Sequence, residues 1–189
     1  GARIVQIRDK NASDREFYKA AREIRKITTE AGALFIVNDR VDIAAAVNAD
    51  GVNVGQTDLP VGIARRILGS RTLIGVSADN VQQARQARID GADYVGFGPV
   101  FPTTTKLDAG PVSGLETLKK VVELLDVPVV AIGGIDCANI HSVAATGAAC
   151  AAVVSAVVCA EDMVTATARL ITGFRQSVDT KAGKVSDTA

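Results

Sequence analysis

Short β-branched runs alternate along this chain with stretches whose apolar residues recur at helical spacing. The runs predict strands at Arg3–Arg8, Leu34–Asn38, Gly51–Gly55, Thr72–Ser77, Tyr94–Val100, Val127–Ile135 and Ala148–Ser155. Helices are predicted between them near 13–31, 40–48, 60–68, 79–90, 113–125 and 137–146, with a last one near 161–175. Local chemistry agrees with these starts. Ser13 is followed three residues later by Glu16, Asp79-Asn80 precedes an amphipathic run, and Pro60 suits a first helical turn.

The strand runs are apolar throughout, which predicts burial on both faces. Strict strand–helix alternation with such strands implies a parallel sheet with right-handed crossovers. An open doubly wound sheet and a closed barrel both satisfy that pattern. Polar residues end nearly every run: Arg8, Asn38-Asp39, Gln56, Ser77, Gly98, Gly133-Gly134 and Ser155. An open sheet would gather them at one switch point, so the expected fold is an α/β TIM (β/α)8 barrel. Seven strands are visible. Gly1-Ala2 repeats the Gly32-Ala33, Gly91-Ala92 and Gly147-Ala148 pairs that join a helix to the next strand. The expectation is a barrel that lacks its first strand and helix here, as a single domain over 1–175, with a flexible polar tail over 176–189.

Composition narrows the class. Of 189 residues 48% are hydrophobic but only 4% aromatic, so branched aliphatic side chains and alanine must fill the core. Lys and Arg number 21, and so do Asp and Glu; with no basic tract, this argues against a nucleic-acid partner. No apolar run reaches the length of a membrane span. Cys137, Cys150 and Cys159 have no metal-ligand spacing and are expected to be reduced packing residues, which favours a cytoplasmic location. His141, the one histidine, falls in a predicted helix and offers no nucleophile system.

Four groups carry candidate chemistry. Gln6 and Arg8 alternate on one strand and so are expected to share the barrel interior, with Lys10 just beyond. The Arg8 guanidinium matches phosphate oxygens, or equally a carboxylate inside the barrel. Asn38-Asp39 and Asp58 end adjacent strands. Two carboxylates suit Mg²⁺, but each also stands where a helix cap belongs, and spacing favours caps. The stretch Gly98–Lys106, GPVFPTTTK, supplies hydroxyls, backbone N–H groups and an ammonium, which suit a phosphate or a surface loop. Gly133-Gly134 and Val154-Ser155 fall where barrels of this class form a phosphate cup, although a tight turn explains the glycine pair equally well.

Taken in order, QIRDK, FIVNDRVDIAAAVNADGVNVGQTDLP, IGVSA, GADYVGFGPVFPTTTK and VPVVAIGGI resemble the thiamine-phosphate synthase family over nearly the whole chain. The resemblance implies a transferase that joins hydroxymethylpyrimidine diphosphate to hydroxyethylthiazole phosphate and releases pyrophosphate. It implies that Arg8, Lys10, Asn38, Ser77 and Lys106 hold the diphosphate, with Gln6 at the pyrimidine. Arg8, Lys10, Ser77 and Lys106 would act on the leaving group. Asp39 and Asp58 would hold Mg²⁺, and Thr103, Thr105, Gly134, Val154 and Ser155 the thiazole phosphate. Asn53 departs from the pattern, since the family often has histidine there.

Small phosphorylated substrates are the implied partners, without nucleic acid or membrane; a homo-oligomer is compatible with this reading. Two alternatives remain at this stage: a thiazole tautomerase-like isomerase and a non-catalytic phosphometabolite-binding barrel. Arg8, Lys10, both aspartates and the TTTK loop favour the synthase.

Overall fold

The computed structural model describes residues 1–105 and 110–185, with side chains through 176. The chain forms two compact units, one of Ala2–Ser77 with Gln86–Tyr94, the other chiefly of Ala78–Arg85 with Val95 onward.

The first unit carries strands β1 (Ile4–Ile7), β2 (Leu34–Asn38), β3 (Gly51–Val54) and most of β4 (Leu73–Ala78). Helices α1 (Asp14–Ala31), α2 (Val41–Ala46) and α3 (Val61–Leu68) alternate with them. All strand pairs are parallel and follow chain order, with Ile7 beside Val37, Asn38 beside Asn53, and Asn53 beside Gly75. The core is aliphatic, with Phe35, Val37, Val52 and Ile74 fully buried. The capping box at α1 is present: Ser13 N–H donates to Glu16 at 3.1 Å, and Glu16 N–H donates to Ser13 Oγ.

The amino ends of the strands are fastened by a device that recurs. Asp50 N–H donates to the Phe35 carbonyl, the Asp50 carboxylate accepts from Phe35 N–H at 2.7 Å, and Arg25 of α1 grips that carboxylate with both guanidinium nitrogens. Asp93 repeats the pattern with Ile74 and with Arg65 of α3. Each pair satisfies a backbone donor and an ion pair at once. At Gly75 close approach forbids a side chain, because a Cβ would lie 2.0 Å from the Tyr94 ring.

Helix α4 (Val81–Ile89) begins under an Asn80 cap, Gln83 N–H donating to Asn80 Oδ1 at 2.9 Å. The second unit holds most of β5 (Tyr94–Phe97), with β6 (Val129–Ile132) and β7 (Cys150–Ala152), again parallel and sequential. Its helices are α5 (Gly114–Leu124), α6 (Ile140–Ala145), α7 (Ser155–Val158) and α8 (Met163–Val185). Phe97, Leu118, Val121 and Val143 fill its core.

The α/β class, the alternation and the parallel pairing agree with expectation. Four details differ. Strands β1 and β7 are not buried on both faces: β1 alternates exposed and half-buried residues, and β7 is half-buried to exposed. Each pairs with one strand only among the described residues, so each lacks a neighbour to cover it. The last predicted strand stops at Ala152, and Ser155 opens the unforeseen α7. Helix α8 continues to Val185 instead of ending near 175. Propagation adds a hydrogen bond per residue, so a helix nucleated by packed residues can outlast its apolar period. Cys137 and Cys159 are exposed free thiols in turns, and only Cys150 packs in part.

Candidate active site

The carboxyl ends of β1 to β4 bring one group of polar side chains together within the first unit. Gln6 lies on β1 and Arg8 one residue past its end, and both are exposed, not enclosed as expected. Arg8 forms no salt bridge among the described residues, so no described carboxylate takes the alternative partner's place. Lys10 continues past the strand end and forms an ion pair with Asp39.

Neither aspartate is a helix cap. The α2 cap position is Arg40, which makes no capping bond and directs its guanidinium to Asp14 and Asp42, each at 2.7 Å. Pro60 occupies the α3 cap position, one residue before the first turn, also without a side-chain bond. Asp39 adopts a left-handed backbone, φ 62°, which aspartate tolerates better than most residues. Its N–H donates to the Asn53 carbonyl at 2.8 Å, which ties the end of β2 to β3. Asp58 turns back over the loop after β3, and its Oδ2 accepts from Gly55 N–H at 2.7 Å.

This folding makes the Asp58 carboxyl a neighbour of Asp39, close enough to raise its pKa. Burial pushes the Asp39 pKa up, the Lys10 ammonium opposes that shift, and the neighbouring Asp58 reinforces it. Lys10 is held above its ordinary value, chiefly by its bond to Asp39. Two neighbouring acids, one of them paired with the Lys10 ammonium, form an oxygen-donor pair that a divalent cation fits. Mg²⁺ characteristically takes one or two carboxylates and completes its shell with water and phosphate. No group of three or more metal-ligating side chains occurs among the described residues.

Ser77, at the end of β4, is half-buried and held from two sides. Asn53 Nδ2 donates to its hydroxyl oxygen at 2.9 Å, and Gln56 Nε2 donates to its carbonyl at 2.7 Å. Asn38 is half-buried beside Asp39. The roles of Asn53 and Gln56 were missed in the sequence. The polar Asn53 inside an apolar β3 run was the available signal, and it was noted only as a departure from the family.

The second group lies in the second unit. Gly98–Val100 are buried, and Val100 and Phe101 N–H groups donate to the Ile132 and Gly133 carbonyls at 2.9 and 3.1 Å. The loop stem therefore continues β5 alongside the Gly133-Gly134 turn. Ser113 fastens it further, its N–H and hydroxyl both donating to the Pro99 carbonyl. A Cβ on Gly134 would meet the Pro102 carbonyl at 2.4 Å, and its φ is +65°, so glycine is required there to seat the loop. Thr103 is half-buried and Thr105 exposed, with Thr105 N–H donating to Thr103 Oγ1 at 3.3 Å. Val154 is exposed before α7, and Ser155 lies in its first turn, where backbone N–H groups lack intrahelical partners. Lys106 lies outside the described residues. His141 is exposed on α6, away from both groups in sequence.

Parallel strands paired in chain order, with basic, carboxylate and hydroxyl side chains at their carboxyl ends, define an α/β protein of the class whose ligand sites lie at strand ends. The particular family follows from comparison. Residues 1–157 match the Thiamine monophosphate synthase family. The chain is 52% identical to the thiamine-phosphate synthase of Chloroflexus aurantiacus over 96% of its length and 83% of the relative's. It is 50% identical to that of Pyrococcus horikoshii over 88% of its length and 80% of the relative's. A solved thiamine phosphate pyrophosphorylase from Pyrococcus furiosus superposes with a TM-score of 0.88 at 46% identity, covering 94% of this chain and 85% of that one. The 3-hexulose-6-phosphate synthase of Salmonella typhimurium, 17% identical with a TM-score of 0.71 over 92% and 87% of the two chains, shares the fold. This chain belongs to the thiamine monophosphate synthase family.

Proposed function

We propose that this chain is a thiamine-phosphate synthase, a transferase that joins hydroxymethylpyrimidine diphosphate to hydroxyethylthiazole phosphate, with Mg²⁺ as its cation. Family membership supports the activity. The observation that carries the site is the pairing of Asp39 with Asp58 beside Lys10, in place of the two helix caps that spacing had favoured. The closed barrel and a cytoplasmic location belong to the same reading, supported by sequential parallel pairing and by three free thiols.

In this reading Arg8, Lys10, Asn38, Ser77 and Lys106 hold the diphosphate, and Gln6 meets the pyrimidine. Thr103, Thr105, Gly134, Val154 and Ser155 hold the thiazole phosphate. The carbon–oxygen bond to pyrophosphate breaks, and its electron pair leaves with the pyrophosphate. Arg8 and Lys10 would meet the charge that builds on those oxygens, with Lys106 assigned to the same role by the family resemblance, and stabilisation is largest where charge develops. Asp39 and Asp58 would hold the cation, which supplies further positive charge to the leaving group. The positive charge left on the methylene is shared by the aminopyrimidine, and the thiazole nitrogen lone pair forms the new carbon–nitrogen bond. Positioning of the two substrates does the rest, and no histidine base is required.

Pyrophosphate release with both substrates, with and without Mg²⁺, tests this. The synthase releases pyrophosphate only when both substrates and the cation are present. Conversion of the thiazole phosphate without release identifies an isomerase, and binding without turnover identifies a regulator.

A further inference from the structure

Asn53 is 6% exposed within β3, between Val52 and Val54, which are almost fully buried. A purely packing residue there would be apolar like its neighbours, since a buried amide costs free energy unless its polar atoms are paired. Asn53 is paired in two directions. Its side-chain amide donates to Ser77 Oγ at 2.9 Å, and its backbone carbonyl, in a bond open to any residue there, accepts from Asp39 N–H at 2.8 Å. Gln56 fixes the Ser77 backbone from the other side. A hydroxyl oxygen that accepts from an amide keeps its own hydrogen for another acceptor.

We propose that Asn53 is the positioning residue for Ser77, taking one lone pair of the hydroxyl so that its hydrogen is presented to an anionic oxygen of the diphosphate substrate. This rests on the assignment of Ser77 to that substrate. Asn53 touches no substrate itself; it acts by fixing the direction of a donor.

Steady-state kinetics on S77A, N53L and the N53L/S77A double variant test the proposal, with KM measured separately for each substrate. Leucine keeps the branching and heavy-atom count of asparagine and removes the donor. S77A is expected to raise the diphosphate KM about tenfold, the worth of a hydrogen bond to a charged group. N53L should raise the same KM severalfold and leave the thiazole phosphate KM within about twofold, while the double variant is no weaker than S77A. Independent, multiplying losses in the double variant overturn the proposal, as does an N53L enzyme with the diphosphate KM of the wild type. If S77A itself leaves that KM unchanged, the Ser77 assignment falls and this inference with it. Should N53L fail to fold, N53A closes the same cycle.

Discussion

Lys10, just past the end of β1, is paired with Asp39 at the end of β2, and the pair stands against a second carboxyl, Asp58. Burial and Asp58 hold the Asp39 pKa above the ordinary carboxylate range, with Lys10 pulling the other way. Protons and a divalent cation compete for the same oxygens. Protonation neutralises the ligand, so cation binding is lost as pH falls, and a raised pKa moves that loss to higher pH. The rise in Tm produced by Mg²⁺ should therefore be full at neutral pH and fade above the range where an ordinary aspartate titrates. Lys10→Met removes the opposing influence and should move the fade higher still. A Mg²⁺ shift that is flat across this range would refute the assignment.

Asp39→Ala and Lys106→Ala should fail differently. Without Asp39 one of two carboxylate ligands is gone, so the Mg²⁺ concentration needed for half-maximal turnover should rise by an order of magnitude or more. Lys106→Ala should leave that concentration near the wild-type value and lower kcat by roughly 100- to 1000-fold, as loss of a donor aimed at developing charge does. Initial rates over a Mg²⁺ series distinguish the two. Normal turnover by both variants would remove the proposed mechanism.

The elements were legible because period and punctuation agree: Asn80 caps α4, and Gly32, Gly91 and Gly147 end helices with φ of 63°, 90° and 91°. What stayed hidden depended on contacts between segments distant in sequence. Spacing makes Asp39 and Asp58 caps, because each lies just ahead of a helix. Only the left-handed turn at Asp39 and the bond from Gly55 to Asp58 turn them toward each other. Asn53 was visible as a polar residue in an apolar strand, but its partner Ser77 lies on the next strand and is fixed by register.

Gly75 and Tyr94 offer a test of packing in the first unit. A Cβ at position 75 would lie within 2.4 Å of two ring carbons and the hydroxyl oxygen of Tyr94, so Gly75→Ala must displace the ring or the strand. Such overpacking costs about 1–3 kcal/mol, and a smaller partner should recover part of it. Urea unfolding of Gly75→Ala, Tyr94→Leu and Gly75→Ala/Tyr94→Leu is expected to show the double variant losing less than the sum of the single changes. Additive losses would show that the clash is relieved elsewhere.

The aspartates that fasten the strand starts should matter for stability and not for turnover. Asp50→Ala removes the acceptor of Phe35 N–H and both bonds from Arg25. A donor left without a partner costs about 1–3 kcal/mol. Asp50→Asn keeps an acceptor for the backbone and gives up only the charge, so it should lose less. The same order is expected at Asp93, where Ile74 N–H and Arg65 take the corresponding places. Urea midpoints in the order wild type, Asn variant, Ala variant at both positions would support a backbone role. Equal losses for Asn and Ala would place the whole effect on the ion pair.

Gly134→Ala separates a seat for the loop from a generic turn. The added Cβ meets the Pro102 carbonyl at 2.4 Å and Phe101 Cβ at 2.8 Å, at a φ of +65° that side chains rarely adopt. The strain falls on the stretch that presents Thr103 and Thr105. If those residues hold the thiazole phosphate, its KM should rise about tenfold, the cost of weakening a hydrogen bond to a charged group, while the diphosphate KM changes little. A turn needing only conformational freedom would behave otherwise: Gly134→Asn, which tolerates the left-handed region, would then restore activity. Close approach forbids any side chain, so both variants should be impaired in the same KM. Recovery in Gly134→Asn would leave the turn explanation standing and remove the seat.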